Sequence, residues 1–277
     1  MKYKQLKKFI QKKVCIKFMY NNNCSTIFKL PTHKFRFDTN LKKTARDQIY
    51  FDHTTTFYCG CNFFPNTQGA SGIIESASCG YKIKNSNSNR GKNLEWEHIV
   101  PASAFGKHKN SWINHKKEEF CGIKSKSGRE CARKFDDKFK MMEADLYNLV
   151  PEIGELNSDR ADKLYGKIDG EKREYGECDF EISSKSKLVE PAEHIQGNIA
   201  RTWLYMYMTY GFEMLPTADK ELKMFCEWHN YYPVSDWEKI MAERITIIQG
   251  NLNPYIDGSF IECQEICGVI KSSHDEL

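Results

Sequence analysis

The segment Glu95-Trp96-Glu97-His98-Ile99-Val100-Pro101 sets two carboxylates and an imidazole in an otherwise apolar run. Ionisable groups in such a run need a partner or a task, because burying an unpaired charge is costly. A neutral imidazole can take a proton from water near neutral pH. A carboxylate beside it can hold a divalent cation against a phosphate. The bland alternative is a core histidine hydrogen-bonded to Glu95 or Glu97, and the segment by itself leaves both open. Other chemistries drop away: neither G-x-G-x-x-G nor G-x4-G-K-[ST] occurs, and there is no G-x-S-x-G elbow, so nucleotide-cofactor loops and serine hydrolases are not in view.

In a regular strand Glu97 and His98 project to opposite faces, so a shared site requires the backbone to turn irregular there. Pro101 makes a strand end at that point reasonable. Residues 94–100 read as that strand, and 54–61 and 72–83 have the β-branched and aromatic content of two earlier ones. Helical spacing predicts helices over 139–150, 195–212, 217–228 and 237–249. Strands early and helices late give an α+β chain. With no repeat and no long Gly/Pro linker, a single domain over 46–268 follows.

The chain has 277 residues, 40% hydrophobic and 13% aromatic, enough for one large core or two smaller ones. Its mean hydropathy is −0.64, and no apolar run approaches the roughly 18 to 20 residues of a bilayer span. Charge is uneven: residues 1–50 carry 13 Lys+Arg against Asp38 and Asp47, while the remainder is mildly acidic. Residues 105–140 carry 11 basic and 5 acidic side chains, a patch that suits a polyanion or is simply a solvated lysine-rich loop. Eleven cysteines read as an oxidising compartment with several disulfides. A structural zinc site through Cys59, Cys61 and Cys79 is the weaker alternative, since C-x2-C knuckles are missing.

Residues 1–45 read as a basic leader or arm outside the core. The apolar stretch around Val14–Tyr20 is short and holds Lys17, a poor secretory core segment. Residues 269–277 form a tail ending His274-Asp275-Glu276-Leu277, an endoplasmic reticulum retrieval address if read in a eukaryotic cell.

Six blocks then fall in a telling order: FYCGC (57–61), SCGYKIKNSNSNR (78–90), EWEHIVPASAFG (95–106), MEADLYNLVPEIGELNSDR (142–160), GNIARTWLYM (197–206) and IQGNLNPY (248–255). Over about 48–267 the chain resembles bacterial endonuclease I, a family of periplasmic or secreted nonspecific nucleases. The resemblance implies a small mixed sheet and several helices around a ββα-metal, or His-Me, finger. It also implies that His98 is the general base, that Glu97 and Asn157 hold one Mg²⁺, with Mn²⁺ or Ca²⁺ as substitutes, that Arg129 stabilises the scissile phosphate, and that Glu143 is a further acidic site residue. Products would carry a 5′-phosphate. The partner would be the backbone of DNA, and of RNA as well, contacted by a monomer with no membrane attachment.

The alternative function is a catalytically weak binder that keeps the fold and the basic patch. Location is expected to be periplasmic or secreted, or the endoplasmic reticulum lumen if the terminus is read. Arg201 is read as an internal ion pair in preference to a DNA contact. Four departures from the family pattern stand out: Ser111 where a cysteine precedes the tryptophan, with Cys121 instead; Lys239 where a cysteine follows Trp237-Glu238; Cys226, which the pattern lacks; and Tyr147 in place of a histidine.

Overall fold

A computed structural model of the protein describes residues 30–32, 35–170, 172–210 and 219–258. The first 29 residues, the beginning of the 217–228 helix, Cys263, Cys267 and the HDEL terminus lie outside the described residues. The chain divides into two compact units, 33–196, and 197–277 with 1–32. The span read as one domain crosses both.

The first unit opens with α1 (Thr39–Thr44), which runs into a π-helical turn at Ala45–Ile49. Asp38 Oδ1 accepts from the amides of Asn40 at 2.9 Å and Leu41 at 3.0 Å, satisfying groups that a helix start leaves open. Leu41, Ala45 and Ile49 are buried at four-residue spacing. Folded structure thus begins before residue 46, where the sequence reading ended a leader. Three apolar residues scattered among lysines are too sparse a period to stand out.

β1 (Phe63–Pro65) and β2 (Gly72–Ile74) form one antiparallel pair. The pair that positions the chemistry is β3 (Leu94–His98) with β4 (Leu149–Ile153), in register from Leu94 opposite Ile153 to His98 opposite Leu149. Between them lie the short helices α2 (Ala102–Gly106), α3 (Asn110–Ile113), α4 (Gly128–Phe135) and α5 (Asp137–Glu143). Ser127 and Asp136 cap the last two. α6 (Gly154–Arg160) follows β4 without a loop, completing a strand–strand–helix unit. A third sheet holds β5 (Leu164–Tyr165), β6 (Phe180–Ser183) and β7 (Leu188–Pro191), with β7 central. The fold is α+β, as expected.

Two strands predicted from composition are shorter or missing. Residues 54–61 form turns with a single bridge, Thr55 to Asn62, and Gly60 takes φ +64°, a conformation that glycine reaches without strain. After Ile74 the 72–83 strand gives way to a 3₁₀ turn (Ser76–Ser78), where Ser78 Oγ donates to Glu75 O at 2.7 Å and accepts from Asn62 N at 2.8 Å. Such side-chain bonds compete with a ladder. The helix predicted over 139–150 ends at Glu143. Asp145 caps a 3₁₀ turn (Leu146–Asn148), and β4 starts at Leu149. Met142, Leu146 and Leu149 have helical spacing, yet they serve three different elements.

Disulfides join Cys59 to Cys178, Cys61 to Cys79 and Cys121 to Cys131, all in the first unit. Cys59, Cys61 and Cys79 therefore have no thiolates to give a zinc staple. Cys121, the residue that departs from the family pattern, ties the lysine-rich segment to α4 through Cys131.

The second unit is helical in its described part: most of α7 (Glu193–Tyr210), α8 (Asp219–Tyr231), α9 (Asp236–Gln249) and α10 (Pro254–Asp257). A reciprocal capping box of Ser235 and Glu238 starts α9, and Gly250, at φ +81°, ends it. Buried Arg201 pairs with buried Glu238, Nε to Oε1 at 2.7 Å and Nη2 to Oε2 at 2.6 Å. The internal ion pair is what the structure holds.

Candidate active site

His98 is the last residue of β3, and the ladder stops there. Asn148 holds the strand end: its Oδ1 accepts from Val100 N at 2.7 Å and its Nδ2 donates to Val100 O at 3.0 Å. Arg160, at the end of α6 and fully buried, donates from Nη1 to Glu97 Oε1 (3.0 Å) and His98 O (2.8 Å), and from Nη2 to Ile99 O (2.6 Å). One guanidinium thus fastens the helix to the point where the strand breaks. The strand stays paired through Glu97 and His98, without the irregular backbone expected there, and both line a cavity of about 830 Å³, together with Phe37, Lys42, Glu95, Arg129 and Asn157 among others.

The His98 ring is buried. Its Nε2 is 2.9 Å from the carbonyl oxygen of Glu143, and only Nε2–H can donate there, so Nδ1 is the basic nitrogen. Arg129 Nη2 donates to Nδ1 at 3.4 Å. Burial first, and then repulsion from Arg129, hold the imidazole well below its usual pKa. His98 is therefore neutral at neutral pH.

Glu97 is buried and well supplied with donors: Arg160 and Tyr58 Oη (3.2 Å) on Oε1, and His98 N (3.1 Å) on Oε2. Burial pushes its carboxyl up to about 7 against the pull of Arg160. Tyr58 is held in turn by Glu152, whose Oε2 accepts from Tyr58 N at 2.6 Å.

Asn157, on α6, donates from Nδ2 to Glu95 Oε2 at 2.9 Å, and Arg90 Nη2 reaches the same oxygen at 2.5 Å. Gly154 makes this approach possible, since a Cβ there would meet Glu95 Oε1 at 2.8 Å and Arg90 O at 2.9 Å. The hydrogen-bonding partner of Asn157 is thus Glu95, not Glu97, although all three line the cavity. Glu95 is a site residue that the sequence reading treated only as a partner for His98. The signal was its place two residues before Glu97, on the same strand face. Among the described residues no three His, Cys, Asp or Glu side chains converge on one point. The set is two carboxylates and an amide, hard oxygen donors of the kind Mg²⁺ takes alongside water.

The resemblance implies that Glu143 is a further acidic site residue. It is fully buried at the carboxyl end of α5. Its Oε1 accepts from Arg129 Nε (2.6 Å) and Arg133 Nη2 (2.6 Å), and its Oε2 from Arg133 Nε (2.5 Å). Glu143 does not line the cavity; it holds Arg129, which does. Arg133 and Arg160 were not foreseen as parts of this arrangement.

The comparisons with known proteins point to one family. The family model described as Endonuclease I matches residues 31–259. The chain is similar to Endonuclease-1 of Buchnera aphidicola subsp. Acyrthosiphon pisum (strain APS), 37% identical over 86% of this chain and 87% of that one. It is also similar to an extracellular deoxyribonuclease of Aeromonas hydrophila, at 35% over 83% and 93% of the two chains. A periplasmic deoxyribonuclease of Aeromonas hydrophila is 36% identical over 76% and 81%. With a cavity walled by an imidazole, arginine and oxygen donors, and relatives matched across most of their length, the chain belongs to the endonuclease I family.

Proposed function

We propose that the protein is a Mg²⁺-dependent endonuclease that hydrolyses the phosphodiester backbone of DNA and RNA without sequence preference. The observation that carries this reading is His98: a buried, neutral imidazole whose tautomer is fixed by the Glu143 carbonyl, on the wall of a cavity shared with Arg129 and three oxygen-bearing side chains. His98 Nδ1 takes the proton from the attacking water, a role that a neutral base can fill at neutral pH. Arg129 lies next to it and balances charge that develops on phosphorus. Glu97 and Asn157, with Glu95 beside them, hold the metal, which when bound supplies Lewis-acid neutralisation and help for the departing 3′ oxygen. With water as nucleophile and the 3′ oxygen as leaving group, the resemblance to endonuclease I implies that the phosphate stays on the 5′ side of the product.

The three disulfides suit an oxidising compartment, and the Aeromonas relatives are described as extracellular or periplasmic, so we assign the site of action to the periplasm or the exterior. The test is cleavage of supercoiled plasmid and of RNA by the oxidised protein, with Mg²⁺ or EDTA, beside His98→Ala. Cleavage should need the metal and fall by about 10²- to 10⁴-fold in the variant. A parent that binds DNA yet cuts nothing under any divalent metal leaves a binding protein in its place.

A further inference from the structure

The face of the cavity formed by α1 has no part in the chemistry above. Lys42 Nζ lies 4.4 Å from the centroid of the Phe37 ring. The same ring packs 4.6 Å from that of His98. The guanidinium carbons of Arg129 and Arg133 stand 5.5 and 5.8 Å from its centroid. Three cations thus surround one aromatic ring. The carboxylate among them, Glu143, is taken up by the two arginines. Among the described residues Lys42 makes no ion pair of its own. Burial, and next the repulsion of Arg129, hold its ammonium below the usual lysine range. Lysine on an apolar ring commonly snorkels to bulk solvent, yet here both Lys42 and Phe37 line the cavity that holds His98. Positive charge in excess of its carboxylates, gathered on one wall, is an arrangement that receives an anion.

We propose that Lys42 is a substrate-contacting cation of this site, its ammonium taking a backbone phosphate of the nucleic acid, and that Phe37 is the positioning residue that keeps it beside Arg129. The inference rests on the nuclease reading for the identity of the anion. Its test does not depend on turnover.

Binding of a short defined duplex to the full-length oxidised protein is measured in EDTA over a range of KCl concentrations, for the parent, Lys42→Met and Lys42→Arg. Lys42→Met should weaken binding about tenfold and make the slope of log K against log salt shallower by about one, equally for duplexes of different sequence. Lys42→Arg should keep both near the parent values. In Mg²⁺, Lys42→Met should raise KM by a larger factor than it lowers kcat. Phe37→Leu should weaken binding by a smaller factor and in the same sense. A Lys42→Met protein whose salt slope and affinity equal the parent's overturns the proposal, whether or not its melting temperature falls. Lys42→Gln serves the same purpose should the methionine variant fail to fold. Failure of the nuclease reading shows separately, as a parent that does not cut plasmid in Mg²⁺ while its binding is still measurable.

Discussion

Two of the arginine–glutamate networks among the described residues, Arg201–Glu238 in the second unit and Arg129–Arg133–Glu143 in the first, are built for different ends. In the second unit Arg201 spends its guanidinium inside the fold: Glu238 takes Nε and Nη2, and Tyr232 O accepts from Nη1 at 2.8 Å. Both side chains are at most 3% exposed. In the first unit Glu143 is equally buried, but Arg129 and Arg133 keep about a third of their side-chain surface, 35% and 33%. A closed pair satisfies itself. An open one uses a buried anion as a fixed mount, so that a cation can be presented at a cavity wall with its direction already set. Pre-orientation of that kind is what stabilises developing charge without reorganisation.

Breaking each network should have opposite signatures. The largest effect on stability is expected from Arg201→Ala, which strands Glu238 in the core. Urea unfolding should show a loss of about 3–5 kcal/mol, with cleavage per folded molecule little changed. Arg129→Ala should do the reverse. Turnover should drop by about 10²- to 10³-fold, while Arg133 still neutralises Glu143 and the unfolding midpoint moves little. A variant that loses stability and keeps its rate would put Arg129 in the same class as Arg201. Arg133→Met is intermediate: Glu143 loses two of its three donors, stability falls by about 1–3 kcal/mol, and the rate falls by less than with Arg129→Ala because Arg129 Nε stays bound.

The smallest effect concerns protons. Burial, helped by the positive charge of Arg201, pushes His229 in α8 down to about 4. Unfolded, it takes a proton near 6.5. Between those values the unfolded chain binds more protons than the folded one, so this residue makes stability fall as pH drops from about 6.5 toward 4 and adds nothing further below. His229→Gln should flatten that part of a plot of unfolding midpoint against pH. Equal slopes in parent and variant would show that His229 titrates alike in both states.

How much of this was legible in the sequence depended on how local each feature is. Glu97 and His98 are adjacent and sit on a strand read with nearly its observed bounds, so motif and element pointed the same way. Asn157 came from the resemblance, and it lies on α6, which follows β4 directly. The helices α8 and α9 kept a 3.6-residue period long enough to read. What failed was short or nonlocal. The change from helix to strand at 144–149 hides under helical apolar spacing and is decided by two polar residues, Asp145 and Asn148, whose bonds are tertiary or cap bonds. Lys42 and Phe37 meet His98 from more than fifty positions away, and no local pattern marks that meeting. Arg160 was quoted within a block without a role, because a residue that donates to two backbone carbonyls leaves no trace in side-chain spacing.

The bridge from Cys59 to Cys178 joins residues 119 positions apart in sequence. Glu95, Glu97, His98, Arg129, Asn157 and Arg160 all lie inside the loop it closes, whereas Phe37 and Lys42 precede it. On a growing chain the second sulfur is made after all of them, so the parts of the site exist before the bond that locks them can form. Synthesis and oxidation are thereby two separate checkpoints for one and the same active centre.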